Sequence, residues 1–526
     1  MKTSLLRGVS AAIVCWGLVT TSLAEQAVDD LAASNLGASP PVRLPEPGSE
    51  KSAPVSMERS ESTLVDFVSS ALSFDLAPAA KSKPAPKPWK GRFFDNDFSY
   101  LGDDEHCPLF GDRLKNICIG ECDVLSYGGE FRVRYMDDRN RFRPDYPAQN
   151  EYTLIRWRQY LDYQHGDAWR LYVEANHATV HGNSLAPLSI DKNEFDLLNA
   201  FGDVNLGYWF DRQTTFRFGR QELLYGAQRL ISPLDWANAR RTFEGFSLLT
   251  KGDFWDIDAF ATRPVNIFPD TQDRPDSSRV FSGVYAMYHG CEDMIFEAYW
   301  LYLADNDTAD INRSTIGGRW HAKIVDADFD GVICRTWLAE VEGGGQFGQE
   351  VGEEVRAAFL TAGLGHQWNA VCWKPTVWLY YDWASGDEDP ADGINQTFNQ
   401  LFPLGHKYLG FFDGIGRQNI IDYNVLATAQ PTGKLSLLAW FHWFNLDEAG
   451  DAVYNIAGAQ FVPAGEAGGT NVGQELDLSA KYTFSPNVGL IVGHSWFFSG
   501  NALRAASVTP RTADGRFLWT QLTLPY

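Results

Sequence analysis

After its first two dozen residues the sequence contains no run of 18 apolar residues, which excludes a bundle of membrane-spanning helices. It is short of positive charge, with 44 Lys and Arg against 67 Asp and Glu and a formal charge of −23 over 526 residues. That balance excludes a nucleic-acid partner, which requires a basic face. The seven cysteines make no C-x-x-C pair, so a zinc site of that spacing is absent. No Gly-x-Ser-x-Gly nucleophile elbow is present, and no repeat of constant length suggests propeller blades.

What the chain has in abundance is aromatic residues, 14%, and 47 glycines. Lys2 and Arg7 followed by an apolar stretch and Ser22-Leu23-Ala24 read as an export signal over residues 1–24. Its removal takes both positive charges and moves the net charge from −23 to −25. Export permits disulfides among Cys107, Cys118, Cys122, Cys291, Cys334 and Cys372, with connectivity left open. Residues 25–90 are rich in Pro, Ala and Ser and poor in aromatics, so they read as a disordered periplasmic tether. A cysteine-bearing segment, 91–126, follows as either a plug of the periplasmic mouth or a docked appendage.

From Tyr127 to Tyr526 the pattern is one of period two. Phe131, Val133 and Tyr135 alternate with Arg132 and Arg134. Trp157, Leu161 and Tyr163 oppose Arg156, Arg158 and Asp162, and Trp169, Leu171 and Val173 oppose Arg170 and Glu174. Ile316 and Trp320 oppose Arg319, and Leu476 and Leu478 oppose Glu475 and Asp477. Such segments have one apolar and one polar face. Eight short turns alternate with nine longer stretches, among them 222–241, 341–354 and 385–418. The expected fold is therefore all-β: a transmembrane antiparallel barrel of about 18 strands, with short periplasmic turns, long outer loops and both termini in the periplasm. A soluble sandwich also gives period two, but would turn its apolar faces inward. The final Leu518, Leu522, Leu524 and Tyr526 are in phase, as in the terminal strand of an outer-membrane barrel.

If the apolar face meets lipid, the arginine face lines a lumen. Arg132, Arg134, Arg156, Arg158 and Arg170 point inward, with Arg217 and Arg319 joining them. Rings of arginine select anions and pair bidentately with carboxylates. The competing reading is a network in which these arginines pair with Glu130, Asp162 and Glu174 and stiffen the wall. Asp387, Asp389 and Asp392 crowd oxygen donors in a loop and are the calcium candidates, without the twelve-residue calcium-loop pattern. No other cofactor is called for. His177, His181 and Ser184 lie near one another, but His494 and Ser495 face opposite ways on a strand, so no enzyme is expected. Trp378, Tyr380, Trp440 and Trp443 are candidates for sugar stacking or for interfacial belts.

Two blocks carry a family resemblance. The first comprises Phe216-Arg-Phe-Gly-Arg-Gln-Glu-Leu223, Tyr225-Gly-Ala-Gln-Arg-Leu-Ile231, Pro233-Leu-Asp-Trp-Ala-Asn238 and Arg241-Thr-Phe-Glu-Gly245. The second runs from Tyr381-Asp-Trp-Ala-Ser-Gly-Asp387 through Thr397-Phe398, Phe402-Pro403, His406 and Tyr408-Leu-Gly410 to Asp413. Together they resemble the alginate-export outer-membrane proteins over roughly residues 127–526. The resemblance implies an eighteen-stranded barrel passing an anionic polyuronate through an arginine-rich constriction. It places Arg132, Arg134, Arg156, Arg158 and Arg217 on pore strands, and Arg220, Arg229, Arg240 and Arg241 in the hallmark loop. Expected partners are the anionic polysaccharide, outer-membrane lipid and periplasmic export proteins. The alternatives are a porin for small organic acids and a closed structural barrel.

Overall fold

The computed structural model describes residues 88–102, 109–142, 148–209, 211–306, 310–328, 331–508, 511 and 513–526. The export signal, all but the last three residues of the tether, and Cys107 lie outside the described residues. Period-two patterning becomes a wall of eighteen antiparallel strands. The first six are β1 (Asp123–Arg139), β2 (Gln149–His165), β3 (Trp169–His181), β4 (Asn193–Trp209), β5 (Arg212–Gln221) and β6 (Phe243–Lys251). Next come β7 (Trp255–Asn266), β8 (Arg279–Cys291), β9 (Met294–Asp305), β10 (Ile311–Ala327), β11 (Ile333–Glu350) and β12 (Glu353–Trp368). The wall ends with β13 (Thr376–Ala384), β14 (Ile420–Thr432), β15 (Leu435–Asn445), β16 (Asn471–Ser485), β17 (Val488–Ser499) and β18 (Gly515–Pro525).

β18 pairs with β1, from Arg139↔Arg516 to Glu130↔Pro525, so the sheet closes. Closure removes the unpaired edge that hydrocarbon would not tolerate. The C-terminal residue continues the seam: the Tyr526 carbonyl accepts from the Gly129 amide at 3.0 Å, and its hydroxyl accepts from Trp157 at 3.0 Å. Short connections such as 166–168, 252–254 and 433–434 lie at one end, long ones such as 222–242 and 385–419 at the other. The alternation holds: Trp157, Leu171, Ile316 and Leu478 are exposed on the outside, whereas Arg132, Arg156, Glu174 and Asp477 are buried inside.

Three boundaries differ from those expected. The barrel begins at Asp123 rather than Tyr127. The expected loop 341–354 is instead an uninterrupted hairpin, with β11 paired to β12 through Glu350↔Glu353 and only Val351 and Gly352 in the turn. Gly343-Gly344-Gly345 hides the pattern because it carries no side chains, yet its backbone stays in the ladder, with Gly343↔Leu360. The vacated space is used: a Cβ on Gly344 would meet the Phe359 ring at 3.2 Å, and one on Gly317 the Tyr299 ring at 2.7 Å. Finally, Trp89 is no part of a loose tether, since its ring packs edge-on to Phe93 and Phe98, each at 5.6 Å.

The described cysteines, Cys118, Cys122, Cys291, Cys334 and Cys372, are free thiols rather than a disulfide framework. Ahead of the barrel, Ile117–Cys118 adds a two-residue strand to β1. Lys115 beside it sits 5.4 Å from the ring centres of both Trp89 and Phe98 and donates to the Tyr127 carbonyl at 2.7 Å. Burial lowers its pKa to about 8.

Two predictions follow from this layout. Trp300 and Ile316 face each other across β9 and β10 on the exposed outer surface at mid-wall. Ile316→Arg should cost about 2–4 kcal/mol in urea unfolding from lipid vesicles, the penalty of a charge on the lipid face. For Lys115, the docked value of about 8 lies below the ~10.4 of an exposed lysine. The detached segment thus holds more protons between those values, so docking strengthens as pH rises from about 8 to ~10.4 and is weakest below 8. Hydrogen-exchange opening constants for residues 109–118, corrected for the intrinsic rate, should fall over that range, and Lys115→Met should remove the dependence.

Candidate functional site

The lumen is built from strand alternation plus two loops that turn inward. Loops 222–242 and 385–419 bond to each other: the Ser232 amide donates to Phe402 O at 2.9 Å, and the Phe402 and Leu404 amides donate to Leu230 O and Gln228 O. Leu234 and Leu401 adopt left-handed backbone, φ 60° and 57°, at the reversals of these loops. Trp236, Phe398, Phe411 and Phe412 from the loops join Phe243, Phe281 and Trp519 from the wall in one apolar cluster inside the barrel.

The first loop lays its backbone on the arginines of β1 and β2. Arg132 donates to Asp235 O and Ala237 O, both at 2.9 Å, and Arg134 to Trp236 O at 2.9 Å and Gln521 at 2.8 Å. The Arg134 guanidinium lies 3.2 Å from the centre of the Trp236 ring, on which the His406 ring is also stacked at 4.9 Å. Burial and the positive charges of Arg134 and Arg141 hold His406 well below the usual histidine range, so it is neutral there. His406 shares a 2.8 Å hydrogen bond with Asp413.

All eleven arginines singled out from sequence have defined acceptors. Arg156 pairs with Glu130 at 2.7 Å and Asp235 at 2.9 Å, and Arg158 with Glu174 at 2.6 Å. Arg170 pairs with Asp162 and Arg217 with Asp203, each at 2.7 Å; Arg220 meets Glu244 at 3.2 Å. Arg240 bonds both Glu222 and Asp235, Arg229 bonds Glu340 and Glu342, and Arg319 bonds Glu340 and Glu297. Arg241 donates to the carbonyls of Ser232 and Pro403. The network reading therefore describes the geometry of most of these residues. Arg132, Arg134 and Arg241 differ in resting on loop carbonyls.

Several participants escaped sequence reasoning. Glu340 and Glu342 alternate in phase on β11, but the glycine run beside them reads as a loop. Arg313, which bonds Glu350 and Gln346, shares the phase of Arg319 and would be found by extending that strand backwards. Arg417, paired with Asp382, and Trp236 lie in loops where no periodicity marks an inward side chain.

Of the four candidate stacking residues, Trp378 and Trp440 are buried inward, Tyr380 stacks on Trp378 at 5.1 Å, and Trp443 is exposed on the outer face. Trp378, Tyr380, Trp440, Arg319, Lys323 and Lys407 line a lumen cavity of about 420 Å³. Gly226 also lines a second, of about 350 Å³, whose walls include Arg92, Asp95, Arg217 and Glu222.

Asp389 and Asp392 spend their carboxylates on the amides of Ala391 and Ile394 within the turn, while the Asp387 amide donates to Asp451. Among the described residues no three His, Cys, Asp or Glu side chains converge in a way that would hold a metal. His177 accepts from the Phe195 amide, and Ser495 is buried inside the wall.

The fold recurs in outer-membrane barrels of known structure. OprD of Pseudomonas aeruginosa has a TM-score of 0.51 at 10% identity, covering 76% of this chain and 94% of that one. OccAB2 of Acinetobacter baumannii gives 0.53 at 11%, with 76% and 98% covered, and OccD3 (OpdP) of P. aeruginosa 0.51 at 13%, with 76% and 91%. These likenesses show the fold alone. No curated protein matches the sequence. A family model described as alginate export matches residues 123–517, the whole wall but for its last few residues. An outer-membrane barrel with that match over most of its length belongs to the alginate export family.

Proposed function

We propose that this outer-membrane channel passes an anionic polysaccharide of the polyuronate type outward by passive diffusion, guided by the lumen arginines. The observation that carries the reading is the bed of carbonyl oxygens from Asp235, Trp236 and Ala237 on Arg132, Arg134 and Arg156. Loop oxygens stand where carboxylate oxygens of a passing polymer would bond. A carboxylate makes the stronger, charge-assisted bond to the same guanidinium. Paired arginines such as Arg158 and Arg217 are held in fixed orientations by their carboxylates, and each guanidinium has five donors, so a further acceptor fits. On this reading no cofactor takes part and no bond of the polymer is broken. Lipid covers the outer face, the short-turn end faces the periplasm with both termini, and periplasmic export proteins deliver the polymer there. A porin for small organic acids would use the same arginines.

A second reading, a closed structural barrel, is favoured by one observation: inward loops and acceptors engage all eleven arginines. Planar-bilayer recording separates the two, since a closed scaffold gives no steady conductance. For the channel, the double variant Arg132→Gln/Arg134→Gln should lower the anion-to-cation permeability ratio about threefold or more, read as a shift of reversal potential in a salt gradient. Unchanged selectivity in that variant would remove the arginine-guided reading.

A further inference from the structure

The segment ahead of the barrel does not hang beneath it. Phe93 and Phe94 are 5% and 4% exposed, sealed against inward rings of β2, β3 and β4. Phe93 meets Tyr160 at 5.7 Å, and Phe94 meets Tyr172 at 5.5 Å and Phe201 at 5.0 Å. The same two rings cover cations: the Arg158 guanidinium is 3.9 Å from the centre of Phe93, and that of Arg217 is 4.7 Å from Phe94. Arg170 donates to Phe94 O at 2.9 Å and Arg240 to Gly91 O at 2.8 Å.

Nothing in residues 88–102 joins the wall ladder. The segment is held by single-turn 3-10 structure, ring contacts and side-chain bonds to its carbonyls. The ring contacts and the carbonyl acceptors are of kinds that an acidic sugar unit duplicates. Its carboxylate replaces a carbonyl as acceptor from arginine with the gain of charge assistance, and its C–H groups meet Tyr172 and Phe201 where the Phe94 ring meets them edge-on. The arginines remain in place on departure of the segment, because Glu174, Asp162 and Asp203 hold Arg158, Arg170 and Arg217.

We propose that the recess formed by Arg158, Arg170, Arg217, Tyr172 and Phe201 is an entry site for acidic sugar units, kept shut by the chain's own residues 88–102, which the polymer displaces. This inference rests on the channel reading above. Phe93 and Phe94 act as an internal occupant of the site, and the conducting state is the one with the segment withdrawn.

The test uses the full mature chain in planar bilayers with a hexauronate and a neutral hexasaccharide as probes. Phe93→Ala/Phe94→Ala should raise the steady conductance about threefold or more and shift hexauronate block to roughly tenfold lower concentration, the neutral sugar having no such effect. Tyr172→Ala/Phe201→Ala should leave the pore open and weaken block roughly tenfold, the loss expected when two aromatic contacts are removed. In the unmodified chain, hexauronate should speed exchange of the Asp95, Asn96 and Asp97 amides, which are bonded within the segment, by about tenfold. That measurement decides the matter if either variant fails to insert. Unchanged conductance and block in a Phe93→Ala/Phe94→Ala barrel that still migrates as a folded, heat-modifiable band overturns the proposal, as does unchanged amide exchange. A failure of the underlying channel reading has a different signature. The Phe93→Ala/Phe94→Ala pore would open without anion preference or hexauronate block, and the ligand assignment would fall with it.

Discussion

A polypeptide in hydrocarbon has to bond every peptide group to another, and here that requirement is met by one seam, β1 against β18. Once the sheet closes, alternation leaves each side chain only two destinations, lipid or lumen. Trp157 and Leu161 go one way, Arg156 and Arg158 the other. The burial of these arginines is therefore a consequence of closure, and so is the need to satisfy them. A guanidinium sealed from water without acceptors would cost several kcal/mol. Loops 222–242 and 385–419, the glutamates of β11 and the segment from Pro88 all lie where they supply those acceptors.

The acceptors fall into two chemical classes, and the division organises the lumen. Side-chain carboxylates fix Arg156, Arg158, Arg170, Arg217 and Arg319 to neighbouring strands. Those pairs stiffen the wall and set guanidinium planes. Carbonyl oxygens from loops and from the leading segment occupy Arg132, Arg134, part of Arg170 and part of Arg240. Bonds of the second class join parts that are not continuous in the sheet, so the strand ladder does not depend on them. Trp236, in contact with Arg134 and a neutral His406, ties the two inward loops to that same group.

The strand count, the closed antiparallel architecture and the inward direction of Arg132, Arg134, Arg156 and Arg158 could be read from the sequence because each depends on neighbours one or two residues away. Period two is a local property of an extended chain. The same reading failed at Gly343-Gly344-Gly345, where a strand continues through residues with no side chain to display the period. It also placed Trp89 in a tether, since Pro, Ala and Lys around it outweighed one ring whose partners, Phe93 and Phe98, become neighbours only in the fold.

The sequence alone determined which face the early strands turn inward and that arginine predominates there, because a strand's faces are set by parity. Which oxygen each arginine bonds, and that Phe93 and Phe94 lie against Tyr160 and Phe201, was decided by tertiary structure. Many of those partners stand far apart in the chain, sixteen residues for Arg158 and Glu174 and 111 for Arg229 and Glu340. No local rule reaches across such distances. Only the curvature of a closed wall brings β2, a loop from beyond β5 and the leading segment to the same few ångströms of lumen.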